Sequence, residues 1–194
     1  MSLAPWRSLL SRALHQNRSL PYARYFQLAT VRANGHPANR TVVFRGFLDD
    51  TNQLKIITDS RSQKIEQIAQ QSWGEACWYF PKTREQFRLA GQLTLVGADY
   101  PNQGLKDARQ TTWQDLSDAA RLQFAWPYPG EVRTENNDAF SPPSPDPKQP
   151  LLNFCLLLLE PLQVYHLELR VDPQNRWSYQ QNDSQDWFKQ AINP

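Results

Sequence analysis

The feature that most constrains the fold is a series of short apolar segments with strand-like spacing, separated by residues that favour turns. The first two lie in YFQLATVRANGHPANRTVVFRGF (residues 25–47) and meet at Asn34-Gly35, a dipeptide suited to the positive φ of a tight hairpin turn. A turn rich in Asp and Asn then leads to LKIIT (54–58). We therefore predict three strands in a meander.

Further strand patterns set the fold class. They are GEACWYF (74–80), QFRLAGQLTLVG (86–97), LLNFCLLLLEP (151–161), LQVYHLELR (162–170) and RWSYQ (176–180), followed by a final WFKQAINP (187–194). The run LLNFCLLLLE is the most apolar, yet it is far shorter than the roughly 20 residues that a membrane span needs, so it is interpreted as a buried strand. Seven or eight strands without alternating βαβ units predict a mainly β protein, a closed antiparallel barrel with helices outside.

Helical spacing appears in three places. An amphipathic first helix is predicted after Pro5, and a second in SRSQKIEQIAQQS (60–72), with Ser60 or Ser62 placed to cap its start. The segment KDARQTTWQDLSDAARLQFAW (106–126) predicts one or two further helices.

One segment has a composition unlike the rest. Residues 131–150 hold five of the fifteen prolines and little that would fill a core. We expect a single domain over residues 1–194 with a mobile proline-rich loop at 131–150.

Charge and composition exclude several function classes. Lys and Arg number 21 against 19 Asp and Glu, a formal net charge of +2, so no global field draws the chain to nucleic acid or to an anionic membrane. Any anion site must therefore be local.

Cysteine and histidine usage argues against a metal site and for a reducing compartment. Cys77 and Cys155 both lie in apolar stretches, which is typical of buried thiols in a cytoplasmic protein. His15, His36 and His166 lie far apart without ligand spacing, and no N-terminal targeting pattern is present.

Two short stretches carry local positive charge. NRTVVFRGF (39–47) is a strand with Arg40 near one end and Arg45 near the other, a pattern that also fits arginines at the rims of an ordinary strand. TDSRSQK (58–64) follows a strand and enters a helix, where backbone N–H groups favour an anion; alone it fits a phosphate site or a helix start with solvated charges. Together the two stretches favour a phosphate site.

These residues resemble a known family. LATVRANGHPANRTVVFRGF, IITDSRSQK and WYFPKTREQFRLAG are similar, in order and spacing, to the pyridoxamine 5'-phosphate oxidase family of FMN-binding split barrels, and most to its branch of oxidase-related flavoproteins. The resemblance implies an antiparallel split β-barrel with flanking helices, and FMN as cofactor.

The resemblance also implies a set of cofactor-binding residues. Arg40 and the pair Thr58 and Lys64 would bind the FMN phosphate, while the backbone around Thr41, Val42 and Val43 faces the flavin ring. The family's Ser-Arg-Lys is Ser62-Gln63-Lys64 here, and Arg61 would restore the missing cation.

Two more implied flavin contacts lie further along the chain. Gln86 falls on a glutamine that hydrogen-bonds the ring, although a lone glutamine also fits an ordinary surface position. Arg176 falls on an arginine that in the family comes from the partner subunit. The resemblance therefore implies a homodimer with shared sites.

The substrate side departs from the family. Its helical Tyr-x₃-Arg-x₃-Ser motif is replaced by Trp113, Ser117 and Arg121, which share one helical face. An anion clamp of Arg45 and Arg121 is one interpretation; the other is a core tryptophan with Arg121 in a surface ion pair. The family's Arg-Leu-His substrate loop is missing, so oxidation of pyridoxamine phosphate is not implied with the same force as FMN binding.

Three functions remain open from the sequence. They are an FMN-dependent oxidoreductase acting on a small anionic molecule, a flavin-binding protein without turnover, and a barrel that binds another ligand. No catalytic side chain is assigned, because the flavin itself carries the redox chemistry and no nucleophile motif is present.

Overall fold

Antiparallel strands form the body of the protein in the computed structural model, which describes residues 3–194. The strands are β1 (Tyr25–Val31), β2 (Pro37–Val43), β3 (Leu54–Asp59), β4 (Trp73–Phe80), β5 (Glu85–Val96), β6 (Phe154–Glu168), β7 (Asn175–Gln181) and β8 (Trp187–Ile192). The helices are α1 (Pro5–Asn17), α2 (Lys64–Gln70), α3 (Gln103–Gln114) and α4 (Asp118–Leu122).

The sheet closes into a barrel through β6. Its ladder runs β2-β1-β4-β5-β6, and residues 154–159 of β6 then pair with β3, while residues 163–168 pair with β7. The chain after β2 meets β3 again, because Arg45 N donates to Lys55 O and Lys55 N donates to Gly46 O, both at 2.8 Å. The predicted antiparallel split barrel is confirmed.

The predicted meander is partly wrong. β1 and β2 form the expected hairpin, with Gly35 at φ 80° in the turn. β3, however, has its ladder with β6, from Leu54↔Leu159 to Asp59↔Phe154. Its contact with the chain just after β2 is short, the isolated bridge Phe47↔Leu54 and the hydrogen bonds of Lys55 with Arg45 and Gly46. β2 and β3 therefore separate beyond that bridge and leave a cleft between them.

β6 is one strand of 15 residues where the sequence predicted two. Pro161 does not interrupt it, because this residue lies opposite Gly91 at a register shift of β5. A Cβ added at Gly91 would lie 1.9 Å from Glu160 O, so only glycine permits this close approach of the two backbones. The bulge thus absorbs the proline without ending the ladder.

Two apolar clusters position the rest of the fold. The barrel core surrounds Trp78, and α1 closes one end of it with Trp6, Leu10 and Ala13, all fully buried. A second cluster outside the barrel joins Trp113, Leu116, Phe124 and Phe154. That cluster holds α3 and α4 against the start of β6, beside the cleft.

Helix starts differ from expectation at α2. Neither Ser60 nor Ser62 caps this helix; its N-cap is Gln63, without a side-chain hydrogen bond. Ser62 Oγ instead accepts from Lys64 Nζ at 3.1 Å. No helix within residues 3–194 is long and apolar enough to cross a membrane.

The proline-rich loop is attached at one point to the second apolar cluster. Trp113 Nε1 donates to Asp146 O at 2.9 Å, and residues Asn137–Phe140 form a short 3₁₀ turn. The mobility of residues 131–150 stays a prediction.

Candidate functional site

A cavity of about 600 Å³ opens where β2 and β3 separate. Its walls come from β2, from the turn between β3 and α2, and from residues 123–134, which we call the roof. Most of the cofactor residues predicted from the sequence line this cavity, together with Arg45: Arg40, Thr41, Val42, Val43, Thr58, Arg61, Ser62 and Lys64.

Arg40 is held at one end of the cavity by neutral groups only. Its Nη1 donates to Leu28 O at 3.1 Å and to Thr30 Oγ1 at 2.6 Å, and its Nη2 donates to Gln67 Oε1 at 3.0 Å. Burial and the charge of Arg32 lower the pKa of Arg40. Its charge is thus fixed in place without a carboxylate.

Lys64 lies beside Arg40 with two hydroxyl groups around it. Its Nζ donates to Ser62 Oγ, which is 3.4 Å from Thr58 Oγ1. Burial, and then the nearby charge of Arg40, lower the pKa of Lys64. Within residues 3–194 neither cation forms an ion pair, and Asp59, whose charge acts on Lys64, is itself paired with Arg61, so this end of the cavity carries net positive charge.

Arg61 lines the same cavity, but its guanidinium is engaged by the protein. It forms an ion pair with Asp59, at 2.7 Å between Nη2 and Oδ2, and donates to the carbonyl oxygens of Phe124 and Trp126. The hydrogen bond from Arg61 to Asp59 raises the pKa of Arg61. Arg61 is therefore a near neighbour of Lys64 in sequence, but its positive charge is already paired with the Asp59 carboxylate.

Arg45 and Trp126 add two polar groups to the walls. Arg45 Nε and Trp126 Nε1 are buried donors that have no partner among the described residues. Burial lowers the pKa of Arg45. Both residues line the cavity, but these two N–H groups are themselves buried away from it.

Gln86 and Arg176 lie away from the cavity. Gln86 pairs with Leu167, and Leu167 pairs with Arg176, so the two predicted flavin contacts occupy one row across β5, β6 and β7. The Arg176 guanidinium lies 5.3 Å from the ring centre of Tyr165. Gln86 and Arg176 therefore lie on the same face of the sheet, with one strand between them.

Of the four predicted substrate residues, Arg45 lines the cavity and the other three lie outside its lining. Trp113 is fully buried, Ser117 Oγ caps α4 by accepting from Ala120 N, and Arg121 donates to the carbonyl oxygens of Trp113 and Gln114. Arg121 also pairs with Asp118 at 2.6 Å. All three residues take part in packing α3 against α4. Their role in substrate binding stays a prediction, which their location outside the cavity does not support.

Sequence reasoning missed several residues that shape the site. Gln67 lies one helical turn after Lys64 and receives hydrogen bonds from both Arg40 and Thr30. Its spacing of three from Lys64 is the one signal that would have found it. The roof has no periodic pattern, so its position over the cavity was not predictable.

Comparison with known proteins identifies the family. Residues 3–97 match the family model described as pyridoxamine 5'-phosphate oxidase, FMN-binding domain. The chain is 36% identical over 194 residues to a pyridoxine/pyridoxamine 5'-phosphate oxidase 2 from Arabidopsis thaliana, covering 99% of this chain and 98% of that protein. This chain belongs to the pyridoxamine 5'-phosphate oxidase family. FMN is the cofactor of the family's domain, as the sequence predicted.

Solved structures agree with the assignment to the oxidase family. A pyridoxamine 5'-phosphate oxidase-related FMN-binding protein from Nostoc punctiforme is 65% identical, with a TM-score of 0.97 over the whole of both chains. PhzG from Burkholderia lata has a TM-score of 0.78 at 19% identity, covering 96% of this chain and 91% of PhzG, and shares the fold.

The residues of the cavity fit the cofactor's phosphate. Arg40 and Lys64 are two positive charges held close together. Burial lowers the pKa of each. A phosphate group would compensate both charges and accept from the hydroxyl groups of Thr58 and Ser62. This oxidase-family cavity therefore has the donor set that an FMN phosphate requires.

Proposed function

We propose that the protein is an FMN-dependent oxidoreductase acting on a small anionic substrate. The observation that carries the proposal is the cavity end at Arg40 and Lys64, where two cations that form no ion pair within residues 3–194 lie beside the hydroxyl groups of Thr58 and Ser62. Family membership adds the cofactor that fits this end.

The chain's own residues would bind and orient the reactants. Arg40, Lys64, Thr58 and Ser62 would hold the phosphate, and the backbone of residues 41–43 would lie along the flavin ring. FMN, when bound, supplies the group that accepts the hydride. Arg45, which lines the cavity, would hold an anionic group of the substrate, and the roof would keep water from the ring.

A homodimer would complete the site with Gln86 and Arg176. Arg176 does not line the cavity of its own chain, because β3 pairs with the first half of β6 and β7 pairs with the second half. The same face carries Tyr25 and Tyr79, each 48% exposed, between the cavity and Gln86. A two-fold interface on this face would bring Arg176 of a second copy to the flavin.

The substrate class rests on relatives and on charge. The Arabidopsis thaliana relative is named for pyridoxine and pyridoxamine 5'-phosphate, so a phosphorylated pyridine is the first substrate to test. The second candidate is a flavin-binding protein without turnover, which the three displaced substrate residues favour. Both cysteines are free, and we place the protein in the cytoplasm.

The test is the visible absorption spectrum of the purified protein, followed by pyridoxamine phosphate under air. We expect flavin bands that bleach without oxygen and return with it. Bands that never bleach with any phosphorylated pyridine would support the binding protein. A protein that neither retains nor rebinds FMN would contradict both candidates.

A further inference from the structure

We propose that Arg61 is a positioning residue that fastens the roof to the phosphate-binding turn (residues 58–64) and does not bind the cofactor phosphate. The proposal deepens the proposed function, because it assigns a task to a cation that the family resemblance places among the phosphate ligands. It rests on the contacts of Arg61 with three separate segments.

The first contact is with the turn itself. Arg61 Nε donates to both carboxylate oxygens of Asp59, at 2.9 and 3.1 Å, and Nη2 donates to Oδ2 at 2.7 Å. Both side chains are largely buried, with 18% of Arg61 and 15% of Asp59 exposed. A forked pair of this kind fixes the orientation of the guanidinium as well as its charge.

The second contact is with the roof. Arg61 Nη2 donates to Phe124 O at 3.1 Å and Nη1 donates to Trp126 O at 3.0 Å. The guanidinium also lies 4.9 Å from the ring centre of Tyr128. One side chain thus touches the roof at three successive points.

The third contact runs through Asp59 to the start of β6. Asn153 Nδ2 donates to Asp59 Oδ2 at 2.7 Å and to Phe124 O at 2.8 Å. Arg61 and Asn153 therefore hold the same carboxylate and the same roof carbonyl. Turn, roof and β6 meet at this one cluster.

These contacts leave little of Arg61 for a phosphate. A guanidinium has five N–H groups, and four of them are directed at Asp59, Phe124 and Trp126. A phosphate would have to displace the Asp59 carboxylate to gain a forked contact. Arg40 and Lys64, by contrast, have no carboxylate to exchange.

The roof depends on this cluster because it has little regular structure. Its one regular element is the 3₁₀ turn Gln123–Ala125, and residues 127–134 continue without helix or strand. Loss of the Arg61 contacts would release residues 126–134 from the turn, while Phe124 stays packed in the second apolar cluster and the phosphate ligands stay in place.

The experiment compares FMN with riboflavin, which lacks the phosphate, on Arg61→Ala, Asp59→Asn and Arg40→Ala proteins. We expect Arg61→Ala and Asp59→Asn to weaken the binding of FMN and the binding of riboflavin by the same factor, about tenfold. They should also raise the quenching of bound flavin by iodide. Arg40→Ala should weaken the binding of FMN far more than the binding of riboflavin. A loss confined to FMN in Arg61→Ala, or no loss at all, would overturn the proposal.

Arg61→Lys sharpens the comparison. Lysine keeps the charge but not the fork, so it would preserve much of a phosphate contact and little of a roof contact. We expect Arg61→Lys to resemble Arg61→Ala for both flavins. Recovery of FMN affinity by lysine, without recovery of riboflavin affinity, would assign Arg61 to the phosphate.

A measurement without flavin separates this proposal from the proposed function. Trypsin should cut after Arg133, in the roof, faster in Arg61→Ala and Asp59→Asn than in the unaltered protein, with cleavage after Arg32 in the β1–β2 turn as internal control. Equal rates at Arg133 would contradict the roof contact. A protein that binds neither flavin yet shows the faster cleavage would remove the proposed function and leave the positioning role standing.

Discussion

The side-chain oxygen of Gln67 accepts a hydrogen bond from Arg40 Nη2 at 3.0 Å and another from Thr30 Oγ1 at 2.6 Å. This contact ties the helix that carries Lys64 to the strand that carries Arg40. Arg40 and Lys64 repel each other because both are positively charged. The neutral side-chain oxygen of Gln67, between the helix and the strand, holds both residues at the same cavity. Gln67 would thus help to shape the proposed phosphate site without itself carrying charge.

Gln67→Ala should lower the affinity for FMN about tenfold, since α2 would lose its link to Arg40. Riboflavin affinity should change less, because the phosphate site is what the link organises. Flavin fluorescence titration measures both. Gln70→Ala, on the exposed end of the same helix, is the matched control and should bind like the unaltered protein. Equal behaviour of the two variants would count against the link.

Arg40→Ala should weaken FMN binding roughly ten- to a hundredfold, because charge-assisted hydrogen bonds contribute about 1.5–3 kcal/mol each. The effect should shrink for riboflavin. Arg32→Ala, an exposed arginine of the same hairpin, serves as control. Unchanged FMN affinity in a folded Arg40→Ala protein would refute the assignment of Arg40 to the phosphate.

FMN affinity should fall with rising pH before ordinary lysines titrate. Lys64 must be charged to hold the phosphate, and burial together with Arg40 lowers its pKa below the usual lysine value. The loss of affinity therefore begins at a lower pH than the titration of an ordinary lysine, as Lys64 gives up its proton. Titrations across this range should show the decline in the unaltered protein and its absence in Lys64→Arg. The same decline in both proteins would place its origin elsewhere.

The ion pair of Asp59 should contribute to stability at neutral pH and lose that contribution in acid. Burial alone would raise the pKa of Asp59, but hydrogen bonds from Arg61 and Asn153 outweigh it and the net pKa is lowered. Stability from this group is therefore present above the ordinary aspartate pKa of about 3.9 and is lost as pH falls through the lower folded value. The contribution is about 1–2 kcal/mol.

Urea unfolding of Asp59→Asn against the unaltered protein checks this. The difference in the free energy of unfolding should be largest near neutral pH and shrink below pH ~3.9. Asp107→Asn, on the surface of α3, should show no such trend. A difference that stays constant down to acid pH would mean that the charge of Asp59 has no part in it.

Mixing Arg40→Ala with Arg176→Ala tests the shared site. If each flavin is held by Arg40 of one copy and Arg176 of another, exchange of subunits creates dimers with one intact site. Random pairing of equal amounts should restore up to about one quarter of the sites. Flavin retained after gel filtration is the readout, and no recovery despite demonstrated exchange would contradict a shared site.

The site was predictable where its residues are close in sequence. Arg40 to Arg45 and Thr58 to Lys64 are contiguous motifs, and both line the cavity. The partner of β3 was not predictable, because strand periodicity says which face is buried and nothing about which strand lies alongside. Thr58 pairs with Cys155, almost a hundred residues later in the chain.

Trp113, Ser117 and Arg121 show a second limit. The predicted shared face of one helix is wrong, because α3 ends at Gln114 and α4 begins at Asp118, yet Arg121 still donates to Trp113 O. Spacing does not tell whether such a group faces a ligand or a core, and here an aromatic cluster with Phe124 and Phe154 takes the tryptophan. Gln86 and Arg176 are near each other for a reason that sequence cannot give, the register of β6 between them.

The single strand β6 also sets where the chain tolerates a change of length. Its first half is the neighbour of Thr58, and its second half is the neighbour of Arg176. Because side chains alternate between the faces of a strand, one residue inserted after Pro161 would turn every later side chain of β6 to the opposite face and shift its register against β7. Residues 135–150, which follow the roof and belong to no ladder, should accept insertions without such a shift. The number of residues in β6 thus sets how far Arg176 lies from the cavity. The length of the loop before β6 has no such effect.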